Sequence, residues 1–475
     1  MRKLLVLGSV LLFTFGDAYA TCGGGGGGGM GGIIPRGAIM QPDPQQPDQQ
    51  GRPNAYVVPW RTIKPGDAPL ANPLIVLWFP ATKDEMQTSD MNASRPLTLD
   101  SAQCVGLQLV APDDAATIAR WKVEKRPAAL LTGDGKMLAR VDADQGVLHV
   151  SDVENMVHHA LYLRSVALDR QLSEAKQKAS SGDKDAAVAA YQKVWEQRCL
   201  APDQGRQAQK ALRSLGVTVK DAGLGPIAPV ITPAMNRQMT AEMSRGFGAE
   251  LAGDYGRARA IYRAASKIDP GDPVPLRFLG ELYRHETGEW TLAMQTFNRI
   301  LTMQADPLSR AVALHGIGKM TIHMGDSARG LAMFQQSIDT YPLALTYRNM
   351  AVYWNSERNR AKADAYVQKA MELDPMDPYN LVFAATYMAD SGRGAEALKI
   401  AKDNEHLLAA SYNLAAIYAL LGNKGKALEL LKRHFYQYER YDAVRAKEMW
   451  EARVDYVFAS LKNDPAFVKL TAMAQ

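Results

Sequence analysis

Between Met239 and Tyr441 one helical pattern returns six times, and this recurrence restricts the possible folds more than any other feature of the chain. Small residues stand at Gly246, Gly280, Gly318, Ala351, Ala385 and Ala415, separated by 34, 38, 33, 34 and 30 residues. A second small series, Ala258, Ala293, Gly330, Ala363, Ala397 and Ala427, follows each of the first by 12 or 13. A small residue in each of two successive helices, returning with a period near 34, describes stacked helical hairpins that bury a core only by packing on their neighbours.

The motif around these positions is specific. Gly253-Asp254-Tyr255-Gly256-Arg257-Ala258 runs on through Ile261-Tyr262-Arg263-Ala264-Ala265 to Ile268-Asp269-Pro270-Gly271-Asp272-Pro273. About a hundred residues later Ala363, Ala370 and Leu373-Asp374-Pro375-Met376-Asp377-Pro378 repeat the formula. Asp-Pro ends each second helix, because proline lacks the amide proton and disfavours helical backbone in the residue before it. The array resembles tetratricopeptide (TPR) repeats. Arg358-Asn359-Arg360 departs from the pattern in lacking the turn glycine. Residues 442–475 read as a C-terminal helical cap, with Phe458-Ala459-Ser460-Leu461 and Asp464-Pro465-Ala466-Phe467 similar to a closing helix after such arrays.

The chain starts differently. Arg2 and Lys3, an apolar run from Leu4 to Phe15 and Ala18-Tyr19-Ala20 have the order of a secretory signal peptide over residues 1–20. The apolar run is too short for a permanent bilayer span, which predicts an exported protein of a bacterial periplasm or cell envelope. Residues 21–54 hold seven glycines, Gly23 to Gly29, and a Pro/Gln segment from Gln41 to Gln50, so they read as a flexible tether. Cys22 at its head resembles the lipid-bearing cysteine of bacterial lipoproteins. Tyr19-Ala20-Thr21 departs from the Leu-x-small motif that precedes that cysteine, and leaves cleavage after Ala20 as the alternative. Removal of the leader leaves 53 basic and 49 acidic residues, too weak a bias to argue for nucleic acid.

Residues 55–163 alternate strands and helices. Leu74–Phe79 is a six-residue apolar run suited to a strand buried on both faces, and Cys104–Val110 is a second. A short helix starts at Pro112-Asp113-Asp114, and Ala128–Thr132 and Met137–Val141 flank a Gly133-Asp134-Gly135 hairpin turn. Asp152 is expected to cap the following long helix. Lys125-Arg126-Pro127-Ala128-Ala129-Leu130-Leu131, followed by Gly-Asp-Gly-Lys, resembles the thioredoxin fold. The resemblance implies that Pro127 is a cis-proline beside the family's active site. It also places that family's CxxC motif in Phe79-Pro80-Ala81-Thr82-Lys83-Asp84-Glu85-Met86, where Lys83 and Met86 stand for the two cysteines. Without a thiolate there is no dithiol exchange, so the domain is expected to be redox-inactive.

Cys104 and Cys199 are a candidate disulfide that would clamp this domain to the following helices. The strict geometry of a bridge favours the plainer reading, two small buried apolar side chains. Residues 164–215 read as a divergent repeat-like helical pair, and residues 216–238, rich in Gly and Pro, as a linker. The fold class is therefore mainly α: a TPR helical solenoid preceded by a small α/β thioredoxin-like domain.

A solenoid of this kind exposes a concave face lined by the first helix of each hairpin. Its inward positions include Arg277, Glu281, Arg284 and His285, then His315, Lys319 and His323, then Arg348, Val352 and Asn355. Most of these are or can become positive and Glu281 is acidic, so the set predicts a protein or peptide partner, acidic or carboxylate-terminated. The same residues also suit a plain solvated face, since exposed helices are commonly charged. His315 and His323 lie two helical turns apart and His158-His159 point to different sides, so neither pair predicts a metal. No phosphate loop, nucleophile elbow or zinc-binding helix is present, and neither enzyme nor cofactor is predicted. The leading expectation is an exported, non-catalytic scaffold. The alternatives are an envelope thiol/disulfide protein using Cys104 or Cys199, and a lipid-anchored assembly factor held through Cys22.

Overall fold

The computed structural model describes residues 55–63, 70–220, 232–375, 377–439 and 442–472. The leader, the tether with Cys22, and linker residues 221–231 lie outside the described residues. Most of the described chain is helical, with one small sheet near its start.

The sheet holds β1 (Arg61–Thr62), β2 (Leu74–Phe79), β3 (Val105–Leu109), β4 (Ala128–Gly133) and β5 (Lys136–Asp142) in the order β1-β3-β2-β4-β5. β1 and β2 lie parallel to β3, while β4 is antiparallel to both β2 and β5. Central β2 is buried along nearly its whole length, which its continuous apolar sequence requires. Asp134 and Gly135 both take positive φ in the β4–β5 turn. Three short helices connect the strands: α1 (Lys83–Thr88), α2 (Arg95–Ala102) and α3 (Ala115–Trp121), capped by Thr82, Ser94 and Asp114.

A helical triplet follows: α4 (Val150–Ser180), α5 (Lys184–Glu196) and α6 (Pro202–Ser214). α4 starts after His149 with no side-chain cap, so Asp152 is not its cap; it lies in the first turn, where a negative charge favours the helix dipole. Cys104 and Cys199 are joined by a disulfide, with their Cα atoms 5.7 Å apart. This corrects the reading of two unlinked apolar side chains. Cys104 sits at positive φ just before β3, and that turn brings it to the loop after α5.

Six hairpins complete the array. They pair α7 (Pro233–Leu251) with α8 (Tyr255–Ile268), α9 (Val274–Glu281) with α10 (Trp290–Thr302), and α11 (Pro307–His323) with α12 (Ser327–Thr340). α13 (Ala344–Ser356) with α14 (Arg360–Leu373), α15 (Pro378–Asp390) with α16 (Gly394–Asp403), and α17 (Ser411–Leu420) with α18 (Lys424–Arg433) follow. The small residues allow close approach: a Cβ at Gly280 would meet the Phe297 ring at 2.3 Å, and one at Gly246 the Tyr262 ring at 2.5 Å. α9 and α18 each run into a π-helical turn, Leu282–Glu286 and His434–Tyr438. After the second turn come α19 (Asp442–Val454), a 3₁₀ turn and α20 (Pro465–Leu470), whose Phe458, Leu461 and Phe467 join the core of the last hairpins. At the other end, Ala55, Tyr56 and Val57 lie in the core of the first hairpins, away from that of the sheet.

Candidate functional site

The inner face of the array is filled by two other stretches of the chain, one at Ala55–Val57 and one around Glu451 and Tyr456. At its N-terminal half, Arg277 is wholly buried; its guanidinium donates to Ala55 O (3.1 Å) and Ser309 Oγ (3.3 Å) and lies 3.9 Å from Asp306. Beside it Tyr56 Oη donates to Asp272 Oδ2 at 2.7 Å. From α2 of the sheet domain, Arg95 reaches the same place, donating to Asp272 (2.9 Å), Asp269 and Asn236. Desolvation pushes the Asp269 and Asp306 carboxyls up, and the Arg95 and Arg277 guanidiniums oppose that shift. These groups form a buried ionic joint between sheet domain and array, so Arg277 is not available to a partner.

The middle of the face is equally closed. Arg284 donates twice to Glu281 (2.7 and 3.3 Å), with His285 Nε2 3.7 Å from the same carboxylate. His315 is fully buried, its Nδ1 3.1 Å from Thr346 Oγ1 and its ring stacked on Phe334. Lys319 is buried, and His323 Nδ1 lies 3.3 Å from Glu451 on α19. Arg348 donates to Asn380 Oδ1 (2.8 Å) and pairs with Asp377 (3.5 Å), both in the next hairpin. Asn355 donates to Tyr456 Oη at 2.8 Å, just beyond α19. None of the ten residues expected to line an open groove is exposed. Burial and neighbouring cations hold His285 and His315 well below the usual imidazole range, so neither adds positive charge at neutral pH.

The occupant of that middle region is acidic. His434 in the second π-helical turn is fully buried and touches Glu448 through Nε2 and Oε2, with Tyr438 stacked on its ring. Glu439, Glu448 and Glu451 arrive from the same stretch, and Lys319 attracts the first two. Burial pushes the Glu439 and Glu448 carboxyls up to about 8 and the His434 imidazole down to about 4. The expectation of an acidic ligand on a basic face thus meets two glutamates, Glu448 and Glu451, on a helix of no net charge supplied by the chain itself.

In the sheet domain, Lys83 opens α1 and pairs with Asp113 on the surface (3.0 Å). The Arg126–Pro127 bond is cis. The disulfide lies at the opposite end of β2 from Lys83, since Val105 is paired with Leu74. A cleft of about 540 Å³ beside it is lined by Arg61, Arg198, Arg310 and the two cysteines.

Sequence reasoning did not find Arg95, the ligand role of Asp269 and Asp272, or the cluster around His434. The Asp-Pro pairs were legible only as helix stops. The i, i+3 acidic pair Glu448/Glu451 is the one signal that could have matched α19 to the basic positions of α11.

No protein-family model matches the chain. It is 24% identical over 258 residues to the protein CTR9 homolog of Arabidopsis thaliana, an alignment that takes in 43% of this chain and 22% of that protein. It is 26% identical over 118 residues to the photosystem I assembly protein Ycf3 of Rippkaea orientalis (strain PCC 8801 / RF-1), taking in 22% of this chain and 68% of that protein. The chain therefore spans about a fifth of the first relative's length. These weak similarities to TPR-containing proteins and the mostly helical structure fit a TPR protein.

Proposed function

We propose that the protein is an exported, non-catalytic scaffold whose TPR array recruits another protein by exchanging the glutamate-bearing face of its own helix α19 for an acidic segment of the partner. The observation that carries this reading is the seating of Glu451 against His323, with Tyr456 on Asn355, across the face whose residue pattern anticipates such a ligand. The partner binds by displacement, because the face is closed in the resting chain.

The sheet domain is read as thioredoxin-like and redox-inactive. Its strand order, with three parallel strands followed by an antiparallel pair, and the cis bond ahead of β4 support the fold. Lys83 and Met86 leave no dithiol at the start of α1. A thiol function for Cys104 or Cys199 is disfavoured by their bridge to each other. The leader supports export, and mass spectrometry of the mature N-terminus separates a free Thr21 from a lipid-bearing Cys22.

The displacement reading is tested on the full chain with a labelled peptide of residues 439–456. A Glu451→Lys/Tyr456→Ala variant, checked for folding by circular dichroism, is expected to bind the peptide while the wild type does not. A peptide carrying Gln at both Glu448 and Glu451 should bind the variant more weakly. Equal, negligible binding by wild type and variant would sink the displacement reading.

A further inference from the structure

We propose that His434, Glu439 and Glu448 form a binding site for a divalent transition-metal ion, with zinc as the probe, that pins α19 to the π-helical turn after α18. One donor atom from each of the three residues lies within 4.8 Å of the others. The donors come from two elements: His434 and Glu439 from the π-helical turn and the residue after it, Glu448 from the second turn of α19. None of the histidines weighed for metal binding in the sequence is among them.

Three observations point to an ion. First, the donor set is mixed, one imidazole with two carboxylates, which is the chemistry of sites that keep an open coordination position on zinc. Second, His434 is fully buried and turned into the cluster through Nε2, where it meets Glu448 Oε2. Third, Glu448 and Glu451 are buried side by side with Glu439 close to Glu448, and like charges are buried together only when a cation or a proton compensates them. Lys319 supplies part of that compensation from α11.

The geometry needs little change. Bonds of about 2.0–2.2 Å in a tetrahedral site set donors about 3.4 Å apart, so Nε2 and Oε2, now in direct contact, separate to admit the ion while Glu439 closes by up to about 1.4 Å. Backbone need not move, since both carboxylates sit on long side chains. The π-helical turn is what aims His434 and Glu439 at the same point; such turns recur at functional sites.

The site does not rest on the displacement reading, since its donors meet in the resting chain and its test needs no partner. The test uses the full chain, stripped with a chelator, in zinc titration calorimetry with a competing chelator. Uptake of one zinc ion per chain is expected, at least tenfold weaker in Glu439→Gln and in Glu448→Gln, with zinc raising the melting temperature of the wild type only. Glu439→Gln alters a half-buried side chain and keeps its shape, so it guards against loss of fold. No stoichiometric uptake by the folded wild type, or uptake unchanged in both variants and therefore arising elsewhere, overturns the proposal.

Discussion

The joint around Arg95 allows the coupling between sheet domain and array to be put to a quantitative test. Arg95 is 2% exposed, and its guanidinium divides between Asp269, Asp272 and Asn236. Arg95→Leu keeps an apolar stem in place but strips a cation from two buried carboxylates. Breaking a buried pair from one side costs about 3–5 kcal/mol. A second route gives the same scale. An abandoned aspartate can escape by taking up a proton, and from an ordinary value near 3.9 this costs about 4 kcal/mol at pH 7. Asp272 retains the Tyr56 hydroxyl and Asp269 retains the Gly271 amide, so the two losses do not simply add.

The expected destabilisation at pH 7 is therefore about 3–5 kcal/mol, shrinking towards pH 4 as the carboxylates protonate in both states. Urea unfolding followed by tryptophan fluorescence reads it, since Trp60, Trp78 and Trp121 report on the sheet domain and Trp290, Trp354 and Trp450 on the array. Adding Asp269→Asn and Asp272→Asn to Arg95→Leu removes the stranded charge and should recover most of the loss. A cost below about 1 kcal/mol at pH 7, the range of an exposed ion pair, would refute the claim that these charges are buried against one another.

Three further outcomes follow from single features. Replacing both Cys104 and Cys199 by Ala opens a loop of 95 residues and should lower stability by up to about 4–5 kcal/mol in the chain-entropy account, read as a fall in the urea midpoint; no fall means the bridge constrains nothing. Arg358 holds a left-handed φ of 57° where the other hairpin turns have glycine, so Arg358→Gly should stabilise by up to about 1 kcal/mol in the same assay. Burial pushes the Glu250 carboxyl up to about 8 from its ordinary 4.5, so the folded chain keeps a proton that the unfolded chain loses. Its contribution is complete below pH 4.5 and lost as pH rises to about 8, by at most about 5 kcal/mol, so Glu250→Gln should flatten the stability profile in that window and a parallel profile would count against it.

The helical hairpins were legible because they depend on local rules that leave marks at fixed spacing. Gly280 must be small because Phe297 crosses it, and Asp254, Asp326 and Asn359 stand where a helix needs a cap. Strands β2 to β5 could be read from run lengths, and the pairing of β4 with β5 from the Gly133-Asp134-Gly135 turn. The closure of the inner face could not. Periodicity tells which residues of α9, α11 and α13 point inward, but whether inward means solvent or protein is decided by segments more than a hundred residues away. Arg277 looks the same in sequence whether it waits for a partner or holds Ala55. The disulfide was weighed down for the same reason: two cysteines 95 apart meet only because the turn before β3 faces the loop after α5.

How the inner face opens follows from the two sides of α19. One side is apolar, with Met449 and Ala452 packed into the core of the last hairpins beside Phe458 and Leu461. The other is polar and meets the third hairpin, Glu451 lying 3.3 Å from His323 and Glu448 being attracted by Lys319. Buried ionic contacts add little net stability over apolar ones, whereas deleting several packed apolar side chains costs several kcal/mol, so the polar side should release first. α19 should then travel with the last hairpin as a rigid piece, and the solenoid should spread instead of shedding a helix. Glu451→Lys places a cation against His323 and should produce this motion: a larger radius of gyration in solution scattering, with helical circular dichroism unchanged. Loss of helical signal, or rapid proteolysis within residues 442–454 at an unchanged radius, would mean that α19 detaches alone and that its apolar side does not anchor it.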